Sequence, residues 1–131
     1  MFLEIGANDQ FNLGISPEQT AANIRAIVSE IRRSSPETTI YLESISPTRI
    51  TRKNIFIRAV NAQLPQIADG KQVVYINTYN DFLEGTLLSP KLTFDGVHLT
   101  GPGYLIWKRR IEPFVLGVTR GSRQGDASPV R

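Results

Sequence analysis

The sequence predicts an α/β domain built on a parallel sheet, and three observations indicate this fold class. Short apolar segments rich in β-branched residues alternate three times with amphipathic helical segments. Polar or turn-forming residues follow each apolar segment. The length of 131 residues, 40% of them apolar, suits one domain with a buried core. Strands that alternate with helices are typical of parallel sheets, whose faces are covered by the connecting helices.

The first third of the chain predicts a strand followed by a helix. Phe2 to Ile5 is a short apolar segment that we interpret as a buried strand. Ser16 is the predicted N-cap of the following helix. Pro17 suits the first helical position, and Gln19 completes a capping box. The helical spacing of apolar residues continues to the arginines before Ser34-Ser35-Pro36, where we expect the helix to end.

The middle of the chain predicts a strand, a broken helix and another strand. Residues 38–47 are rich in β-branched residues and end in proline, which indicates the second strand. The second helix is expected to begin near Asn54 and to break before Pro65, because proline disfavours helical geometry in the preceding residue. A turn at Asp69-Gly70 then leads into the third strand, QVVYIN.

A long loop and a last helix complete the pattern. Residues 78–103 are rich in turn-forming residues, and loops of this length in small domains are usually functional or disordered. The last helix carries three large side chains on one face, those of Tyr104, Trp107 and Ile111. From Gly117 onward the composition is Gly, Ser, Arg and Pro without periodicity. We therefore expect residues 1–116 to form the domain and the remainder a disordered basic tail.

Composition and charge exclude several classes of function. The chain has no cysteine, which excludes disulfides, thiol catalysis and cysteine-ligated zinc. The net charge is +3, and the fifteen residues from Gly117 contribute three arginines against one aspartate. The body is therefore nearly neutral, which argues against nucleic acid as a partner, since phosphate binding needs a basic face. No apolar run has transmembrane length, no signal peptide is visible, and the compartment stays open.

Polar side chains follow every predicted strand. Because the carboxyl ends of parallel strands lie at one edge of a sheet, and ligands bind beyond that edge, we expect these side chains to share a rim with the long loop. They are Asn8 and Asp9 after the first strand, Ser44 and Ser46 after the second, and Asn77 and Asn80 after the third.

The long loop contains the only histidine of the chain, His98, three residues after Asp95. At this spacing in a tight turn, the carboxylate can reach one ring nitrogen and leave the other free to act as a general base. An exposed histidine beside an exposed aspartate is the alternative interpretation, since titratable residues are common on surfaces.

The loop after the first strand offers a second group for the same chemistry. The side-chain amide of Asn8 can donate a hydrogen bond to an oxyanion without titrating, and Asp9 would brace the loop through backbone hydrogen bonds. Ordinary turn chemistry also explains an Asn-Asp pair after a glycine.

Taken together, these two segments resemble a known family. "GANDQF" is similar to the third motif of the SGNH hydrolases, also called GDSL-type esterases and lipases, and "DGVHLTGPGYLIWKRRI" is similar to their fifth motif and final helix. The resemblance covers residues 2–116. It implies a three-layer, flavodoxin-like fold with sheet order 2-1-3-4-5, of which this chain would supply strands 3, 4 and 5.

The resemblance also implies a reaction and a role for each residue. Family members hydrolyse carboxylic esters through an acyl-serine intermediate, without a metal or organic cofactor. His98 would be the catalytic base, Asp95 its orienting acid and Asn8 the oxyanion donor, while Gly6 would shape the loop that presents Asn8. The implied partner is a small ester, either an acetylated sugar or a short acyl ester.

The sequence departs from the family at the nucleophile. The Gly-Asp-Ser motif that follows the first strand in the family is absent, and so is the second motif, whose glycine joins the oxyanion hole. "GDAS" at residues 125–128 follows no strand. We therefore expect the chain to be the C-terminal part of a longer hydrolase and to be nearly inactive alone. The alternative is a catalytically dead module that binds a carbohydrate or a protein.

The predicted topology leaves the segment Phe2 to Ile5 at an open sheet edge. Right-handed crossovers running in one direction place both connecting helices on one face, so only the last helix covers the other. An apolar edge favours self-association, or pairing with a missing N-terminal segment.

Two further hypotheses are weaker. A nucleotide-binding domain would need a glycine-rich phosphate loop, and no supporting pattern favours a metal site formed by Asp9, Asp95 and His98.

Overall fold

A computed structural model describes residues 1–9 and 14–121, and it contains a three-stranded parallel sheet. The strands are β1 (Phe2–Leu3), β2 (Ile40–Glu43) and β3 (Val73–Ile76), in the order β1-β2-β3. Phe2 lies opposite Tyr41, and Ile40 lies opposite Val73. The predicted α/β class and parallel sheet are confirmed, although β1 is paired over two residues rather than through Ile5.

Helix α1 (Pro17–Ser34) begins where its capping residues predict. The Ser16 hydroxyl accepts a hydrogen bond from the Gln19 backbone N–H at 3.1 Å. The Gln19 side chain donates to Asn23 at 2.8 Å, so the reciprocal half of the predicted capping box does not form. The helix ends with the Ser35 N–H bonded to the Ile31 carbonyl, immediately before Pro36.

Helix α2 (Thr51–Asn61) begins three residues earlier than predicted, which places Asn54 inside it. It ends before the predicted break, and a short 3-10 helix, Leu64–Ile67, contains Pro65. In the following turn, an Asp69 carboxylate oxygen accepts hydrogen bonds from the backbone N–H groups of residues 71 and 73.

Alternate residues of β2 face opposite layers of the domain. Ile40 and Leu42 belong to a core cluster that α1 and α2 complete with Ile24, Val28, Phe56, Ile57 and Val60. Tyr41 and Glu43 face α3 (Gly101–Gly121), where they contact Phe114 and Trp107 respectively. Both crossover helices therefore lie on one face of the sheet and α3 lies on the other, as the handedness of the crossovers predicts.

The segment predicted as a long loop contains short ordered elements. A 3-10 helix (Tyr79–Phe82) leads into a two-stranded hairpin, β4 (Leu83–Glu84) and β5 (Leu87–Leu88), and a 3-10 turn follows at Pro90–Leu92. A second apolar cluster anchors these elements beneath α3; it contains Phe82, Leu88 and Leu92, with Leu99, Ile106 and Trp107 packed against it.

Two features of α3 were not predicted. Ile111 is buried and Trp107 is half-buried, but Tyr104 is 56% exposed, because its ring borders an open cavity instead of packed core. The helix also continues through Gly121, past the predicted start of the tail at Gly117. Residues 122–131, including the GDAS segment, lie outside the described residues. Within the described part of the chain, no helix is both long and apolar enough to cross a membrane.

Candidate active site

Asp95 and His98 form a hydrogen-bonded pair in the turn before α3. His98 Nδ1 lies 2.6 Å from Asp95 Oδ2, while Asp95 Oδ1 accepts the backbone N–H groups of Val97 and His98, each at 2.8 Å. The pKa of Asp95 lies well below its usual range. The largest cause is the hydrogen bond from the His98 backbone N–H, followed by the bond to the His98 ring and the bond from the Val97 N–H. Asp95 is therefore a stable anion at neutral pH, able to hold a proton on Nδ1.

The loop after β2, which carries Arg49, contacts this turn at Gly96. Gly96 has a φ of +83°, and its N–H donates to the Thr93 hydroxyl at 2.9 Å. Its carbonyl accepts the Arg49 N–H at 2.8 Å, and a Cβ on this glycine would lie 3.3 Å from the Arg49 Cβ. The left-handed conformation and the close approach both favour glycine between Asp95 and His98.

Arg49 and Asn54 connect the turn to the rest of the domain, and the sequence analysis did not identify them. The Arg49 guanidinium donates to the Leu88 carbonyl at 2.7 Å, which ties the hairpin to the same loop. Asn54, 2% exposed, accepts the Thr48 N–H at 2.7 Å and donates to the Thr48 carbonyl at 2.8 Å. The available signal was an asparagine on the apolar face of a predicted helix, where a polar group needs a buried partner.

The loop after β1 is fixed by close packing on α1. Gly6 has a φ of +104°, and a Cβ there would lie 3.0 Å from Thr20 Cγ2 and 3.4 Å from Ile24 Cδ1. The Asp9 N–H donates to the Gly6 carbonyl at 3.3 Å, and an Asp9 carboxylate oxygen accepts the Thr20 hydroxyl at 3.0 Å. Asp9 thus anchors the segment that carries Asn8 through its own side chain.

Asn8, Asp95 and His98 line one cavity of about 470 Å³, together with Lys53 and Ser46. The cavity lies beyond the carboxyl ends of β1 and β2, where α/β sheets place their ligands. The structure therefore brings an amide donor to the same space as a histidine that is already paired with a carboxylate. The side chain of His98 is 80% exposed.

A second cavity, of about 530 Å³, flanks His98 on the side of β1 and α3. It is lined by two carboxylates, Glu4 and Glu43, which the sequence analysis did not single out. Glu43 is 3% exposed and accepts the Trp107 indole N–H at 2.7 Å. Burial raises the pKa of Glu43, the Trp107 bond opposes that rise, and the charge of Glu4 adds to it.

The two serines of the predicted rim occupy different environments. Ser44 is fully buried, and its hydroxyl accepts the backbone N–H groups of Thr78 and Tyr79, so it joins β2 to the segment after β3. Ser46 lines both cavities beside His98. Within residues 1–9 and 14–121, no hydrogen bond joins a serine to His98.

Asn77 and Asn80 do not reach the His98 cavities. They line a separate cavity beside β3. Among the residues that the structure describes, no three His, Cys, Asp or Glu side chains are grouped to hold a metal ion.

The model of the GDSL-like lipase/acylhydrolase family matches residues 1–106. The chain belongs to this family. The match confirms the resemblance indicated by the segments around Asn8 and His98. Among curated proteins, none matches the chain.

Solved structures share the fold of this GDSL-like chain. A candidate platelet activating factor from Streptococcus pneumonia is 26% identical with a TM-score of 0.78, over 87% of this chain and 58% of that protein. The esterase domain of the ORF1 protein from the zebrafish ZfL2-1 retrotransposon is 25% identical with a TM-score of 0.67, over 87% of this chain and 70% of that domain.

A carbohydrate esterase of family 3 from Talaromyces cellulolyticus is 17% identical with a TM-score of 0.76, over 93% of this chain and 59% of that protein. The GDSL-like chain thus spans less than two thirds of the Streptococcus and Talaromyces proteins that it matches.

Proposed function

We propose that the chain carries the base, the orienting acid and an oxyanion donor of a carboxylic-ester hydrolase. The observation that carries this proposal is the shared 470 Å³ cavity, because it joins Asn8 to the Asp95–His98 pair. Membership of the GDSL-like acylhydrolase family agrees with it.

The geometry supports a serine-type mechanism. Asp95 holds the proton on His98 Nδ1, which leaves Nε2 to accept the proton of an attacking hydroxyl. As the oxygen of that hydroxyl bonds to the ester carbonyl carbon, the carbonyl oxygen becomes an oxyanion, which the Asn8 amide stabilises by donation. The bond to the alcohol then breaks, and His98 returns the proton to the leaving alcohol. Water repeats the sequence on the acyl intermediate and releases the acid.

We propose that the nucleophilic hydroxyl lies on a segment other than these 131 residues. Ser44 is buried in structural hydrogen bonds, and Ser46 has no hydrogen bond to His98 among the described contacts. The outer edge of β1 is unpaired in the described part of the chain, so a further strand could add there. On this proposal the chain alone hydrolyses esters little or not at all.

A small ester is the proposed substrate, either an acetylated sugar or a short acyl ester. The carbohydrate esterase from Talaromyces among the similar structures favours a sugar ester.

Hydrolysis of p-nitrophenyl acetate tests the proposal in two forms of the protein. The 131-residue chain should give no turnover above that of His98→Ala. The chain expressed together with the coding sequence directly upstream of Met1 should hydrolyse the ester, and His98→Ala should reduce that rate about a thousandfold or more.

Two outcomes would contradict the proposal. A folded but inactive longer protein would favour the binding module, which carbohydrate or protein binding would then identify. Robust turnover by the short chain that Ser46→Ala abolishes would place the nucleophile at Ser46.

A further inference from the structure

Two asparagines of α2 each bond both the N–H and the C=O of one residue in the loop after β2 (residues 45–49). Asn61 accepts the Ile45 N–H at 2.8 Å and donates to the Ile45 carbonyl at 2.9 Å. Asn54 makes the same pair of bonds to Thr48, at 2.7 and 2.8 Å. The two asparagines are seven residues apart and therefore lie on the same face of the helix. Helix α2 thus holds the loop after β2 at both ends.

The first end of this loop contacts the segment that carries Asn8. The Ser46 N–H donates to the Glu4 carboxylate at 2.8 Å, which ties the loop to the end of β1. A Cβ on Gly6 would lie 3.4 Å from Ile45 Cδ1, so the two loops are in close contact. A shift of the first end of the loop would therefore change the surroundings of Asn8.

The second end of the loop contacts the turn that carries His98. The Arg49 N–H donates to the Gly96 carbonyl at 2.8 Å. The side chain of His98 is 80% exposed, whereas Thr48 is 5% exposed and Asn54 is 2% exposed. The buried bonds at Thr48 therefore anchor an exposed turn through the neighbouring backbone bond.

An amide side chain is the group that this arrangement requires. Its oxygen accepts a backbone N–H while its NH₂ group donates to a backbone C=O, so it satisfies both groups of one loop residue. A carboxylate has no donor for the carbonyl, and an aliphatic side chain would leave both backbone groups without this partner.

We propose that Asn54 and Asn61 are positioning residues that set the separation of the Asn8 amide and the His98 ring through the loop after β2. The inference rests on the proposed ester hydrolysis, because it assigns the two asparagines a role in that reaction. Neither asparagine lines the 470 Å³ cavity, so each acts through the loop. A base and an oxyanion donor must fit one substrate, and a misplacement of about 1 Å can cost about a hundredfold in rate.

Backbone amide NMR of the 131-residue chain tests each end of the loop separately. Asn54→Ala removes the side-chain bonds to Thr48. We expect hydrogen exchange of the Arg49 N–H to accelerate about tenfold or more, and the amide signals of Val97 and His98 to shift.

Asn61→Ala should have its effect at the other end of the loop. We expect faster hydrogen exchange of the Ile45 N–H and shifted amide signals in residues 6–8, with smaller changes in the turn of His98. Asn61 is only half-buried, so this variant decides the proposal if Asn54→Ala fails to fold.

Asp69→Ala is the matched control. It also removes two side-chain bonds to backbone N–H groups, but in the turn before β3, at the opposite edge of the sheet. It should lower the thermal stability and leave the amide signals of residues 6–8 and 96–98 unchanged.

Kinetics of the chain expressed with its upstream coding sequence separate positioning from stability. Asn54→Ala should lower kcat about tenfold to a hundredfold with little change in KM, since the groups that contact the substrate remain. Asp69→Ala should leave kcat unchanged.

Three results would overturn the proposal. They are loss of thermal stability in both asparagine variants with unshifted signals in residues 6–8 and 96–98, equal shifts in Asp69→Ala, and an unchanged kcat in Asn54→Ala. The NMR measurements need no ester, so they decide the positioning role even if the longer protein hydrolyses none, a result that contradicts the proposed function instead.

Discussion

At the scale of single residues, Asp95 fixes the turn and the histidine together. One carboxylate oxygen accepts two backbone N–H groups, and the other contacts the His98 ring. Asparagine would keep the size of the side chain and lose the negative charge that these donors face. The contribution of Asp95 to folding therefore depends on its ionisation.

Asp95→Asn should lower the free energy of unfolding at neutral pH and lose this effect in acid. The pKa of Asp95 is lower in the folded state, so its stabilising contribution is present above the unfolded value of about 3.9 and is lost as the pH falls. Urea unfolding of both proteins between pH 2 and 7 measures the difference. A difference that stays constant with pH would contradict the ionic role.

Glu43→Gln should have the opposite pH dependence. Burial raises the pKa of Glu43, so the folded state favours its protonated form and loses stability as the pH rises from about 4.3. Glutamine still accepts the Trp107 N–H and should raise stability at pH 7 by about 1 kcal/mol, with no gain at pH 3. Glu37→Gln, on the surface, is the control. A loss of stability at pH 7 would show that the carboxylate is required.

At the scale of elements, the loop after β1 depends on a glycine for two reasons. Gly6 and Gly85 both have positive φ values, +104° and +68°, but only Gly6 has side-chain atoms where a Cβ would lie. Gly6 therefore combines close contacts with a φ further from the left-handed values that alanine can adopt.

Gly85→Ala should cost about 1 kcal/mol of stability from strain, and Gly6→Ala about 1–3 kcal/mol more from its larger φ and from contact with Thr20 and Ile24. Thermal unfolding of the two variants measures this difference. Equal losses would contradict the added cost at Gly6.

Local chemistry explains which elements could be predicted from the sequence. Ser16-Pro17 fixes the start of α1 within one turn, and Pro65 ends the regular helix, because both act on neighbouring backbone. The hairpin at residues 83–88 could not be predicted, since its position depends on the Leu88 bonds to Thr48 and Arg49, 39 or more residues away. The same long-range bond to Leu88 concealed the supporting role of Arg49, whereas Asn54 bonds to Thr48, only six residues away.

At the scale of the whole molecule, the described sheet has an open edge at β1. Phe2 stacks on Tyr41 at 4.8 Å, but β1 pairs only with β2 in the described part of the chain. Exposed strand edges pair readily with other strands. Phe94, 99% exposed beside Asp95, is a second apolar feature that could mediate association.

Sedimentation equilibrium should show self-association of the chain, and Phe2→Lys should abolish it by placing a charge on the edge. Phe94→Lys should leave it unchanged. A wild-type monomer at high concentration, or loss of association in Phe94→Lys alone, would contradict pairing through β1.

Asn8 and His98 line one cavity, and the composition of the chain allows a direct measurement of their proximity. The chain has no cysteine and a single histidine, so a nitroxide on Asn8→Cys probes one resolved ring. A label on Lys71→Cys, in the turn before β3, is the control. We expect strong paramagnetic broadening of the His98 ring signals by the label at position 8 and little by the label at position 71. Unbroadened His98 signals with the label at position 8 would contradict it.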